Sequence, residues 1–125
     1  MKKELFSALT ILSLVAGAVI NIVHLNKLVN TMTQHIDKAI VACSVTDYNT
    51  AEAELSAALT LWVDSDSYTH VFIRHSEIDA TTDSYYDALA AIQSKNQEAI
   101  SLMRKTQYHI ESIQSMEKVS LKSIF

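Results

Sequence analysis

A chain of 125 residues with no proline and a single glycine, Gly17, has few ways to turn sharply. Tight β-hairpins draw on glycine and Asn-Gly pairs to reach positive φ, and no Asn-Gly pair is present. Loops that cradle phosphate need glycine to bring backbone amides up to the ligand, so nucleotide-binding motifs are excluded as well. What remains is rich in Ala, Leu, Ser, Thr, Ile and Glu, in long segments without breakers. Such a chain reads as all-α.

The first segment is apolar all round. No charge occurs from Leu5 to Val23, and only Ser7, Thr10, Ser13 and Asn21 are clearly polar. These 19 residues come close to the ~20 that cross a hydrocarbon core as a helix. Residues 1–24 are therefore expected to be a membrane anchor that meets the bilayer through residues 5–23, leaving residues 25–125 as the folded body. Lys2 and Lys3 favour a cytoplasmic N-terminus, which puts the body outside the cytoplasm at the cell membrane. A cleaved signal peptide is the second reading, because Ala16-Gly17-Ala18 has the small-x-small form of a cleavage site. Against it, the apolar run continues through Val19, Ile20, Ile22 and Val23. Ile40-Val41-Ala42-Cys43 spells a lipoprotein box, but Lys27, His35, Asp37 and Lys38 separate it from the apolar run that it would have to end.

Beyond the anchor, apolar residues recur with helical spacing. Leu25, Val29, Met32, Ile36, Ala39 and Cys43 are spaced alternately four and three apart. That is a short heptad seam, suited either to packing on the protein's own body or to self-association as a homodimer. Ser44 to Asp47 reads as a turn, with Asp47 as the N-cap of a second helix whose face is Ala51, Leu55, Ala58, Leu59 and Trp62. A third helix is expected from about Ser76, with the face Ile78, Thr82, Tyr85, Leu89 and Ile92. After a break at Lys95 and Asn96, a fourth carries Ala99, Met103, Thr106, Ile110 and Ile113. The fold expected is a transmembrane helix continuing into a small antiparallel bundle of about four helices. Asp47 to Ala51 and Lys95 to Ala99 begin the second and fourth helices alike, which suggests a weak helical-hairpin repeat or a chance likeness of two amphipathic helices.

Trp62, Phe72, the run His75-Ser-Glu-Ile-Asp79, an isoleucine-rich helix and the ending Ser120-Leu121-Lys122-Ser123-Ile124-Phe125 follow one another in a particular order. In this the chain resembles the family known as domain of unknown function 4363, over nearly its whole length. The resemblance implies a small bacterial protein, mostly of low-GC Gram-positive species, with one N-terminal membrane segment and a helical body. It carries no activity over. Family members often end in Asn-Ile where this chain has Ser123-Ile124, and its second helix is less basic than is usual there.

The stretch VFIRHSEID, Val71 to Asp79, is the densest in polar ligand types. His75, Glu77 and Asp79 alternate, which suits one face of a strand and not of a helix. His70 and His75 are five apart, whereas helical metal-binding histidines sit four apart. The stretch reads instead as a helix junction, with Phe72 and Ile78 as an apolar staple, His75 at the free backbone groups and Glu77 against the positive helix end. Asp64-Ser65-Asp66 begins like a calcium loop but lacks the glycine and later ligands. The single Cys43 can form no internal disulfide and sits in no nucleophile signature. Glu52 and Glu54 face apart on a helix.

No metal, cofactor or catalytic site is expected, and the chain is not expected to be an enzyme. The net charge is −4, and nothing resembles the basic patch of a nucleic-acid binder. The reading is a non-enzymatic, single-pass, membrane-tethered helical module that binds another membrane or extracytoplasmic protein. The alternative is a small-ligand sensor or binding bundle that acts through a membrane partner. Trp62, which reads first as a core residue, and Tyr86 are the candidate partner contacts, and Leu25, Val29, Met32 and Ile36 the candidate seam of any self-association.

Overall fold

A computed structural model describes residues 1–65 and 75–124, with side chains for residues 1–65 and 76–116. Among the described residues there are four helices and no strand. They are α1 (Lys2–Ser44), α2 (Tyr48–Asp64), α3 (His75–Gln93) and α4 (Ala99–Ile124). α1 packs on α2 and α4, and α3 packs on the same two, so the helices form a closed ring around one core. The pairs Gln107 to Asp37 and Gln114 to Asn26 ascend on α4 as they descend on α1, so these two run antiparallel.

α1 has 43 residues, about 65 Å of helix at 1.5 Å per residue. It is one uninterrupted element, yet its two halves are treated differently. Leu5, Phe6, Leu9, Ile11, Leu12 and Leu14 are each more than half exposed, whereas Leu25, Val29, Met32 and Ile36 are at most 3% exposed. The N-terminal part is long and apolar enough to cross a membrane, and the bundle does not bury it.

The core follows the helical spacing of the sequence. Leu25, Val29, Met32, Ile36, Ala39 and Cys43 of α1 are all buried, as are Ala51, Leu55, Ala58 and Trp62 of α2 and Ala99, Met103, Thr106, Ile110 and Ile113 of α4. On α3 the buried set is Ile78, Thr81, Ser84, Tyr85, Ala88 and Ile92, while Thr82 and Leu89 flank it half-buried. Two polar residues thus sit deeper than their type suggests. The core accepts them because the Thr81 hydroxyl donates to the Glu77 carbonyl and the Ser84 and Thr106 hydroxyls meet at 2.7 Å.

Both described turns use the same device. Thr46 and Lys95 take positive φ, 61° and 54°, at the positions where glycine is usual. The amides of Thr46 and Asp47 bond back to the Cys43 and Ala42 carbonyls, and those of Lys95 and Asn96 bond to Ile92 and Ala91. Each pair satisfies carbonyls that the helix end leaves open. The next residue then caps the following helix, Asp47 accepting from the Thr50 amide and Asn96 from the Glu98 amide. The first turn begins one residue later than expected, because α1 continues through Ser44.

These turns join two hairpins of like construction. Val29, Met32, Ile36, Ala39 and Cys43 of α1 recur as Ile78, Thr81, Tyr85, Ala88 and Ile92 of α3, a constant offset of 49 residues. Ala51, Leu55, Ala58 and Trp62 of α2 recur as Ala99, Met103, Thr106 and Ile110 of α4, offset by 48. The likeness between the starts of α2 and α4 therefore extends through the buried positions of both hairpins.

Candidate functional site

The junction residues fall at the edge of what is described. Phe72 lies outside the described residues. His75 opens α3, and Glu77 is half-buried in its first turn, where the helix dipole favours a carboxylate. Ile78 is the first buried residue of α3, at 5% exposure. All three positions, His75, Glu77 and Asp79, therefore stand on a helix, where Glu77 and Asp79, two apart, do not share a face.

Trp62 is 4% exposed, and its indole N–H donates to the Thr82 hydroxyl at 2.8 Å across the α2–α3 contact. The ring seals the core, as buried tryptophans do when the N–H finds an acceptor. It is therefore not available as the surface contact that the sequence suggested. Tyr86, the other suggested contact, is 53% exposed on the outer side of α3. The suggested self-association seam is covered within the chain, with Met32 Sδ accepting the Tyr85 hydroxyl at 3.3 Å.

Polar side chains tie the helices outside the core. His35 Nδ1 and Glu54 Oε2 are 2.7 Å apart between α1 and α2, both half-buried, and form an ion pair when the imidazole is protonated. Gln107 donates to Asp37 at 2.6 Å, and Gln97 to the Tyr48 hydroxyl at 2.7 Å and the Cys43 carbonyl at 2.8 Å. Cys43 itself is fully buried, and that burial pushes its thiol pKa above the ordinary value. A buried thiol held protonated is a packing group, not a nucleophile.

One open groove stands apart from these ties. It has a volume of about 620 Å³ and is lined by Glu77 of α3 and by Tyr108, His109, Glu111, Ser112, Ser115 and Met116 of α4. Positions 108, 111, 112, 115 and 116 form one row along α4, because residues three and four apart share a helix face. Tyr108 is 69% exposed and meets the His109 ring edge-on at 6.2 Å. The groove thus offers a phenol, an imidazole, a thioether, two serine hydroxyls and two carboxylates on a solvent-facing surface. Among the described residues, no group of three or more His, Cys, Asp or Glu is placed to hold a metal ion.

None of the α4 groove residues was expected from the sequence. They form a row on the side of α4 away from its core face, and a row of tyrosine, serine and glutamate looks like any solvated helix surface.

The family model described as domain of unknown function DUF4363 matches residues 19–124. The chain belongs to the DUF4363 family. The match starts inside the apolar half of α1 and runs to the end of α4, so it takes in all four helices. No curated protein and no solved structure matches the chain.

Proposed function

We propose that this DUF4363 chain is a non-enzymatic, single-pass, membrane-tethered helical module that binds another protein outside the cytoplasm. The observation that carries the tether is the split of α1, whose apolar half has no fully buried residue before the core begins at Leu25. Lys2 and Lys3 favour the cytoplasmic side for the N-terminus. A helix shared by membrane and bundle holds the body against the bilayer with no flexible linker between them.

The groove on α3 and α4 is the surface for the partner. Its volume lies within the range of small-molecule sites, which would suit the alternative of a ligand-binding sensor. Two features favour a protein instead. The groove opens to solvent, and its largest aromatic group, Tyr108, is mostly exposed. A partner helix that lays apolar side chains on Tyr108 and Met116 and a basic residue beside Glu77 or Glu111 fits this chemistry.

Site-specific photocrosslinking tests the reading. A photoreactive phenylalanine analogue replaces Tyr108 in the full chain in native membranes, with Thr60, the equivalent position of α2, as control. The expected outcome is a light-dependent adduct with one protein from position 108 and none from position 60. Adducts at neither position, or at both alike, would contradict it.

A further inference from the structure

We propose that the bilayer holds two helices of this chain, with the C-terminal end of α4 following α1 into the outer part of the hydrocarbon region. The inference rests on reading residues 5–23 as the membrane span. α4 has 26 residues, against 17 in α2 and 19 in α3, so it outruns both of these helices. Its level against α1 is fixed by the Gln114 amide, which donates to the Asn26 side chain. From there α4 continues for ten residues to Ile124, about 15 Å of helix. Because the two helices are antiparallel, this stretch runs back alongside the part of α1 that precedes Asn26.

The surface of α1 agrees with that placement. Val15, Ala18 and Ile22 are half-buried, while most of their neighbours in the apolar half are exposed. With Asn26 they make one row at spacings of three and four, the row turned toward α4. All three lie within the uncharged run that ends at Val23. Whatever depth the run occupies, the helix beside it occupies too.

The sequence of this end suits such a place. Beyond the groove, residues 117–125 set Val119, Leu121, Ile124 and Phe125 among Lys118 and Lys122, and the only acid is Glu117. Lysines a few residues below an interface bury their stems and carry the ammonium up to the headgroups.

Lipid quenching tests the proposal in the full chain. Cys43→Ala removes the native thiol, and single cysteines are placed as Leu121→Cys, Phe125→Cys, Leu12→Cys at mid-span and Ser94→Cys at the far turn. Each is labelled with bimane and reconstituted in phosphatidylcholine–phosphatidylglycerol vesicles, with or without bromine on the acyl chains. Helical circular dichroism and Trp62 emission verify the fold of each variant. Bromine is expected to quench positions 12, 121 and 125 and to spare position 94. Quenching at 12 with 121 and 125 as bright as 94 would overturn the two-helix contact and leave the tether intact. A bright label at position 12 would overturn the span itself, and the proposal with it.

Discussion

The two hairpins share a core pattern and differ in what surrounds it. In each, one helix contributes a row at three- and four-residue spacing, a positive-φ residue turns the chain, and an Asx side chain caps the return helix. Yet Trp62 of the first hairpin answers to Ile110 of the second, and Thr82 answers to Thr33. The indole N–H closes on Thr82, whereas the Thr33 hydroxyl is buried with no partner. Outside the core, Tyr108 and Glu111 stand where the first hairpin has Thr60 and Val63. The first hairpin carries the apolar extension, and the second carries the groove. The repeated positions make the fold, and the positions that break the repeat carry what is proposed for function.

The largest effects should come from equivalent core positions. Tyr85→Ala and Ile36→Ala each empty a fully buried site, and are expected to cost about 3–5 and 2–5 kcal/mol respectively. Urea unfolding of the full chain in micelles would read both. If the hairpins share one core, both transitions stay single and move together across helical and Trp62 signals. A variant that unfolds one hairpin and leaves the other would break the comparison.

The unequal threonines should separate next. Thr82→Val leaves the buried indole N–H without its acceptor, and is expected to cost about 1–3 kcal/mol. Thr33→Val replaces a buried hydroxyl that makes no hydrogen bond, and is expected to be neutral or stabilising. Equal losses in the two variants would mean that the hairpins are sealed alike.

The caps should differ least, and in pH dependence. The bond from Thr50 holds the Asp47 carboxyl below its ordinary pKa. A folded value below the unfolded one gives stability that is present above the unfolded value and lost as pH falls through the folded one. Asp47→Ala should therefore lower the unfolding midpoint at neutral pH, and the gap to wild type should close in acid, below about 3.9. Asn96 has no charge to lose, so the Asn96→Ala gap should stay flat over the same range. Parallel melting curves from pH 7 down to acid would distinguish the two.

Most of the core was legible in the sequence because apolar periodicity reports burial directly. Every position of the α1 seam and of the α4 face is buried. On α3 the reading slipped, favouring Thr82 and Leu89 over Thr81, Ser84 and Ala88. Hydroxyl and methyl side chains carry little periodic signal, and their burial rests on partners from other helices. The ties from His35 to Glu54 and from Gln107 to Asp37 were invisible for the same reason, since they depend on helix crossing and not on spacing along one helix. Trp62 was legible as a core residue of the α2 face, but its acceptor Thr82 was not, because it lies 20 residues away on another helix. The groove row is ordinary in composition, and it emerges only once α3 places Glu77 beside it.

The most direct test of the tether is the intact mass of the chain recovered from the membrane fraction after alkaline carbonate extraction. The account predicts a membrane-retained chain that still carries residues 1–24. It also predicts that Leu12→Arg, which places a charge at mid-span at a cost of about 2.5–3.5 kcal/mol, shifts the chain toward the soluble fraction. A soluble wild-type chain shortened to begin just after Ala18 would contradict the tether and make the apolar half of α1 a cleaved signal.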